Sequence, residues 1–258
     1  MSTSPALRIL TWNLNHAFRA PDRRAWEYIE SLEPHVALLQ ETRRPPFQGS
    51  IGAVIPGRGS WGTWIVPFGR TTLTEIPWIG LGGKRPRGYL EASHPGAFCV
   101  AQAKLSSRRV VTVASVYGML ALRVRNGRRY AVTTVHRTLS DLTPVLDVKR
   151  SKAAVILAGD LNVTPQIREP DTAAHEAVIQ RIKAFGLVDC LGDANNGRFV
   201  RTYSKHELDW QDDWVFASPA LRCTSCQPVH TKEAWALSDH CPVIAEFEFA
   251  PRPQRASG

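Results

Sequence analysis

Apolar runs in this chain repeatedly end in oxygen-bearing side chains, and that coincidence constrains the fold more than any other feature. Leu7 to Leu14 carries Asn13 and Asn15 at its end, and Val36 to Leu39 runs straight into Gln40-Glu41-Thr42. Val110 to Val116 leads to Tyr117, and Ala153 to Ala158 leads to Gly159-Asp160-Leu161-Asn162. Asp213 stands at the entrance of Trp214 to Ala217, and Asp239-His240 precedes Val243 to Phe249. Strand ends let remote parts of a chain aim side chains at one point. Asp, Glu and Asn are the hard oxygen ligands that suit Mg²⁺ or Mn²⁺ rather than zinc. A histidine beside carboxylates can hold a proton and donate to a phosphate oxygen. Together these residue types point to metal-assisted phosphoryl chemistry. Singly, each motif is weak; their order along the chain carries the inference.

Between these runs lie helical patterns. Asp22 can cap a helix with Ala25, Trp26, Ile29 and Leu32 on one face, ended by Pro34. Tyr130 to Val148 has Val132, Val135, Leu139, Leu142 and Leu146 at helical spacing, against a Thr-rich start and Pro144. Thr172 can cap a third helix with Val178, Ile179, Ile182 and Phe185 inside and Gly186 as its stop. Phe98 to Leu105 and Val110 to Tyr117 read as paired strands turning at Ser106-Ser107-Arg108. Residues 44–96 are rich in Pro and Gly; Trp61 to Val66 reads as a strand there and the rest as long loops. Strands and helices interleave without a break, which predicts one α/β domain over residues 1–250 and a disordered tail over 251–258.

The chain has 258 residues, 43% of them hydrophobic, enough for a sizeable core. No apolar run approaches the roughly 20 residues needed to cross a bilayer. Met1 to Ala6 lacks the pattern of a signal peptide, so a cytoplasmic monomer without a membrane span is expected. A formal charge of +9 favours polyanionic partners, as it does a merely solvated basic surface. Arg123, Arg125, Arg128 and Arg129 are candidates for phosphate contacts or a solvated loop. The five cysteines are odd in number and irregular in spacing, which argues against a disulfide framework. Cys223 and Cys226 form a single C-x-x-C followed by His230. A zinc site there would need a further ligand such as His206, and ordinary reduced cysteines are the simpler reading.

The ordered set Trp12-Asn13-Leu14-Asn15, Leu39-Gln40-Glu41-Thr42, Gly159-Asp160-Leu161-Asn162, Asp213 to Ser218 and Ser238-Asp239-His240-Cys241-Pro242 resembles the endonuclease/exonuclease/phosphatase superfamily. Gly186-Leu187-Val188-Asp189 and Trp210-Gln211-Asp212-Asp213-Trp214 are similar to its exonuclease III-like apurinic/apyrimidinic endonucleases. The resemblance implies a deoxyribonuclease I-like, four-layer α/β/β/α sandwich with two packed mixed sheets. It implies Mg²⁺ or Mn²⁺ held by Glu41, with Asn13, Asn15 and Asp239 completing the shell. Asp160 would orient and deprotonate the attacking water, steadied by Asn162. His240 would donate to a phosphate oxygen, held by Asp213, for which Asp212 is the competitor. Tyr117 would contact the scissile phosphate or simply pack on the core.

The chain departs from that branch at several places. His16 stands where a glycine is usual, and Tyr117-Gly118-Met119 lacks the branch's DNA-contacting continuation. Residues 45–95 match poorly, and residues 204–212 are short. The resemblance therefore implies the catalytic set rather than abasic-site specificity. His136 would act on the leaving group if its segment were a strand; in a helix it is structural. Trp210, Arg125 and Arg128 are candidate substrate contacts, with core packing as the alternative for the tryptophan. The expected function is a DNA endonuclease or exonuclease. A phosphatase or phosphodiesterase for a small-molecule or lipid phosphate is the second reading, and a silent binding protein on the same scaffold the third.

Overall fold

A computed structural model describes residues 6–57, 60–82, 84–120, 131–167, 171–205 and 208–250. The expected tail, 251–258, lies outside them, as do Arg123, Arg125, Arg128, Arg129 and His206. The chain opens with β1 (Leu7–Asn13), α1 (Arg23–Ser31), β2 (Val36–Arg43), β3 (Ile51–Val54) and β4 (Trp61–Pro67). Next come β5 (Thr72–Glu75), β6 (Trp78–Gly80), β7 (Leu90–Ala92), β8 (Phe98–Lys104) and β9 (Val110–Val116). Then follow α2 (Val132–Asp141), α3 (Thr143–Leu146), α4 (Val148–Ser151), β10 (Val155–Asp160), α5 (Thr172–Ala184), β11 (Val188–Asp189) and α6 (Cys190–Ala194). The last elements are β12 (Tyr203–Lys205), β13 (Leu208–Trp210), β14 (Asp213–Ala217), β15 (Leu221–Pro228), α7 (Lys232–Leu237) and β16 (Val243–Phe249).

Two six-stranded sheets form the centre, ordered β15-β16-β1-β2-β4-β3 and β11-β14-β10-β9-β8-β5. Both are mixed, since β1–β2 and β9–β10 pair in parallel and their other neighbours are antiparallel. Side-chain alternation sets the layers. In β1, Leu7 and Ile9 face the second sheet, while Leu10 and Trp12 face outward onto α1 and α7. In β10, Ile156 and Ala158 face inward, while Val155 and Leu157 pack under α2, α3 and α5. The result is the α/β/β/α sandwich that the resemblance implied.

The same parity places the polar residues. Continuing inward from Leu7 and Ile9, β1 presents Thr11 and then Asn13. From Ile156 and Ala158, β10 presents Asp160, and β14 presents Asp213 in register with it. At one end of the sandwich the space between the sheets therefore turns from apolar to polar. Gln40 marks the transition: fully buried, it donates to Ser115 Oγ at 3.0 Å and to Leu38 O at 3.0 Å. Each buried amide hydrogen thus has an acceptor, as burial demands.

Several expectations needed correction. Residues 44–96 hold β3, β5, β6 and β7 besides β4. These strands are three or four residues long, too short for a periodic signal, and β3 and β5 lie at sheet edges. The helical pattern from Tyr130 to Val148 is real but divided. Pro144 sits in the first turn of α3, where its missing N–H costs nothing, while continuing α2 through it would clash with the preceding turn. Thr172 is the first residue of α5, with Asp171 at the cap position; the Thr172 hydroxyl instead donates to Ile167 O at 2.6 Å. Asp22 caps α1 by accepting from Arg24 N, and Gly186 ends α5 at φ 93°.

Two glycines hold the site's strands together. A Cβ on Gly118 would lie 1.8 Å from Leu161 O, and one on Gly159 would lie 1.9 Å from Val116 O. Gly159 also has φ 151°. We predict that Gly159→Ala loses at least about 3 kcal/mol of stability, since neither strand can retreat without breaking the β9–β10 pairing. A shift in the urea midpoint measures this, and a wild-type midpoint would refute it.

Candidate active site

The residues named from the sequence converge on one cavity of about 890 Å³ at the polar end of the sandwich. Asn13, Asn15, Glu41, Tyr117, Asp160, Asn162, Asp239, His240 and Trp210 all line it, and Asp213 lies directly behind His240. Asn13 and Glu41 come from the first sheet and Asp160 and Asp213 from the second, so the cavity straddles both.

Asp160 is buried and accepts three hydrogen bonds: from Asn13 Nδ2 at 2.8 Å, Asn162 N at 2.7 Å and Asn162 Nδ2 at 3.1 Å. Desolvation pushes its carboxyl well above the usual range, and Asp213 and Asp212 push it further. Protonated His240, with Nε2 3.8 Å away, and the Asn13 donor pull it back. Asp213, not Asp212, is the histidine's partner, with its Oδ2 2.7 Å from His240 Nδ1. Burial opposes charge on His240, but Asp213 and Asp160 more than offset it and lift the imidazolium to about 10. Asp212 lines the cavity beside them, and burial with Asp213's charge raises it to about 7. The His240 loop is anchored to β1. Trp12 Nε1 donates to His240 O at 2.8 Å, and Ser238 Oγ donates to Asn13 O at 2.7 Å.

Glu41 sits on an irregularity in the β2–β4 pairing. Desolvation raises its carboxyl, against hydrogen bonds from Tyr117 and Asn13 and the charge of His240. Tyr117 is thus a partner of Glu41, with Trp61 edge-on at 5.7 Å. Asn15, Glu41 and Asn162 all have positive φ, of 54°, 45° and 48°. Asparagine tolerates that region, whereas glutamate is uncommon there. Asn15 Nδ2 donates to Asp239 Oδ1 at 2.7 Å, and Lys205 Nζ meets Asp239 Oδ2 at 3.1 Å.

Glu41, Asp160, Asp212, Asp213 and Asp239 put five carboxylates here. Among the described residues at the cavity, His240 and Lys205 are the cationic side chains. This concentration of carboxyl groups, with ionisation disfavoured at Glu41, Asp160 and Asp212 without a cation, and the amide oxygens fit a hard divalent cation. Among the described residues no three His, Cys, Asp or Glu side chains form a ready cage. Mg²⁺ typically uses one or two carboxylates and keeps several waters, so Glu41 and Asp239 with the Asn13 and Asn15 amides are a suitable set.

His16, in the place of the usual glycine, is buried. Its backbone N–H donates to Glu41 O at 2.8 Å, its Nδ1 lies 3.1 Å from Thr42 Oγ1, and Trp26 packs edge-on. It locks the Glu41 turn to the end of β1. Desolvation and then Arg43 lower its pKa to about 4, so it is neutral in the fold. The unfolded chain binds this proton below about 6.5 and the folded one only below about 4. Stability should therefore fall by up to about 3 kcal/mol as pH drops from 6.5 to 4. Urea titrations across that range measure the loss, which should shrink in His16→Gln; an equal slope in both proteins would refute it.

Tyr203, Lys205, Phe18, Thr164 and Gln166 also line the cavity and carried no signal in the sequence. Tyr203 packs on His240 with ring centroids 4.9 Å apart and forms an isolated bridge with it. The β12–β13 ribbon brings Tyr203, Lys205, Leu208 and Trp210 over the cavity. His136 lies in α2, where its carbonyl accepts from Arg181 Nη1 at 2.5 Å. Its segment is therefore a helix and not a strand. Among the described residues no helix is long and apolar enough to cross a membrane.

A model of the Endonuclease/Exonuclease/phosphatase family matches residues 10–240. No curated protein matches the sequence. Similar folds include an endonuclease/exonuclease/phosphatase from Beutenbergia cavernae DSM 12333 (TM-score 0.63, 17% identity, 96% of this chain and 72% of that chain). An AP endonuclease from Archaeoglobus fulgidus is similar over 94% of this chain and 99% of its own (TM-score 0.61, 17% identity). A 3′ phosphatase, NExo, from Neisseria, bound to a product DNA hairpin, is similar over 95% of this chain and 100% of its own (TM-score 0.63, 19% identity).

Proposed function

The chain belongs to the endonuclease/exonuclease/phosphatase family, and from that premise we propose that it hydrolyses phosphodiesters in DNA by metal-assisted attack of water. The observation that supports this best is the meeting of Glu41, Asp160 and the His240–Asp213 pair in one cavity from remote segments. Asp160, oriented by Asn13 and Asn162, takes the proton of the attacking water. His240, kept protonated by Asp213, donates from Nε2 to the non-bridging phosphate oxygen as charge builds there. Glu41, Asn13, Asn15 and Asp239 would hold Mg²⁺ or Mn²⁺, which would supply charge stabilisation to the reacting phosphate. Tyr117 fixes Glu41, and Trp210 offers an aromatic face to a base or sugar. The basic charge of the chain and the DNA-bound neighbour support a nucleic-acid substrate.

A small-molecule or lipid phosphate is the second reading. Its support is the apolar lining from Phe18, Met119, Leu120, Ile167 and Leu208, with Lys205 the one lysine or arginine among the described lining residues. Purified protein with Mg²⁺ or Mn²⁺ should be tested on abasic duplex, single-stranded and nicked DNA, RNA and inositol phosphates. Cleavage of a DNA substrate is expected. Hydrolysis of the small phosphates alone would remove the nuclease reading, and no hydrolysis at all would favour the silent scaffold. EDTA should abolish activity and added Mg²⁺ or Mn²⁺ restore it. Glu41→Ala should stay at least about 100-fold below wild type even with metal restored; activity that persists in EDTA would overturn the metal assignment.

A further inference from the structure

On the far edge of the sandwich from β3 and β5, the two sheets end in β15 and β11, and α6 packs against β15 and β14. Cys223 and Cys226 lie on β15, and Cys190 is the first residue of α6. In a regular strand, residues three apart point to opposite faces. Here the pairing with β16 slips: Cys223 opposes Phe247 and Ser225 opposes Glu246, leaving Thr224 as an extra residue. The bulge returns Cys226 to the same inner face as Cys223, toward Cys190 in the core between the sheets.

The three thiols meet there. The neighbouring Cys190 and Cys226 thiols lower the Cys223 thiol to about 4; Cys223 Sγ lies 3.3 Å from Ser225 O and Cys190 Sγ 3.7 Å from Val188 O. The proximity of Cys223, together with burial, drives Cys190 and Cys226 well up. Asp189, which caps α6 by accepting from Gly192 N at 2.9 Å, adds negative potential at Cys190 and Cys226; Lys183 Nζ stands 3.7 Å from Asp189. Cys223 is thus the most readily ionised of the three thiols. Cys223 is half-buried, whereas Cys99, Cys190, Cys226 and Cys241 are buried. His230, the nearest histidine in sequence, is engaged elsewhere, with Nε2 2.6 Å from Arg201 O and its ring stacked on Trp235.

We propose that Cys223 and Cys190 form a reversible redox pair: a hydroperoxide oxidises Cys223, and Cys190 resolves it into a disulfide that closes the open edge of the sandwich. The Cys223 thiolate attacks the terminal peroxide oxygen, the O–O bond breaks, and the alkoxide leaves and takes up a proton as alcohol. Cys223 is then a sulfenic acid. The Cys190 sulfur attacks the Cys223 sulfur, the S–O bond breaks, and the departing hydroxide takes the Cys190 proton as water. Two thiols are oxidised by two electrons and the hydroperoxide is reduced by two. Cys226 is not the resolving partner. Across the bulge it sits two partner-strand steps from Cys223 on the same face, roughly 7 Å apart with side chains side by side, beyond the about 3.5–4.5 Å Cβ spacing a disulfide accepts. Cys190 approaches from a separate element. The closed loop contains β12, β13 and β14, which carry Tyr203, Lys205 and Asp213.

The test treats the fully reduced chain with hydrogen peroxide at neutral pH, blocks remaining thiols with N-ethylmaleimide and maps unreduced peptides by mass spectrometry. The expected result is one cross-link joining Cys190 to Cys223, the loss of two titratable thiols and reversal by dithiothreitol. The melting temperature of the oxidised chain should rise by several degrees. Cys226→Ser should keep the cross-link, while Cys190→Ser and Cys223→Ser should lose it with their circular dichroism unchanged. The wild-type measurement stands even if a variant fails to fold. Five titratable thiols after peroxide, a cross-link between other cysteines, or stoichiometric zinc that protects the cluster until chelated would each overturn the proposal.

Discussion

Asp160→Asn is expected to lose at least about 100-fold in turnover on whichever substrate the panel identifies, with the protein still folded. The amide cannot take a proton from water, so the variant lacks the base that Asn13 and Asn162 orient. Stability should change little, because two effects oppose one another. Asparagine removes a charge that burial and the neighbours Asp212 and Asp213 disfavour. It also replaces one acceptor oxygen with an NH₂ group, so one of the three donors from Asn13 and Asn162 loses its partner. A melting temperature near wild type alongside a collapsed rate is the signature of a group that acts on substrate. Near-normal turnover in the folded variant would remove Asp160 from the mechanism.

His240→Ala is expected to reduce turnover by a similar factor and also to weaken the fold. The imidazolium is the cation among Asp160, Asp212 and Asp213, and its charge favours the ionised form of both Asp160 and Asp212. Removing it leaves a buried carboxylate without its partner, a change worth about 3–5 kcal/mol in comparable cases unless protons are taken up instead. The variant's loss relative to wild type should therefore be smaller at pH 5 than at pH 8, since protons taken up at low pH neutralise the stranded carboxylates. Urea midpoints at the two pH values measure this. A variant with wild-type stability at pH 8 would show that the aspartates do not depend on His240.

Much of this site could be read from the chain because strand parity and strand ends are visible in it. Val155 to Ala158 is an apolar run, Asp160 follows at the next inward position, and nothing but counting by two is needed to aim it. The same holds for Asn13 after Leu7 and Ile9. Asp213 rather than Asp212 faces His240 for the same reason, sharing its parity with Val215 and Ala217. What was illegible depended on contacts between distant segments. Lys205 and Tyr203 have no local pattern; they matter because a three-residue ribbon folds over Asp239 and His240. The short strands β3, β5, β6 and β7 exist because neighbours pair with them, not through their own periodicity. The bulge at Thr224 hides in the same way, since an interrupted alternation looks in sequence like no strand at all. The division of the helical pattern at Pro144 was visible, and its consequence was a new helix rather than a loop.

Because β1 and β2 supply Asn13 and Glu41 while β10 and β14 supply Asp160 and Asp213, neither half of the molecule carries the proposed centre alone. Sliding one layer across the other by a single residue, about 3.4 Å, would part Asn13 from Asp160 while leaving most secondary structure intact. Catalysis is thus a far stricter gauge of native assembly than circular dichroism: a collapsed intermediate with both layers formed but unlocked should be silent, and the return of turnover during refolding should time the final docking event.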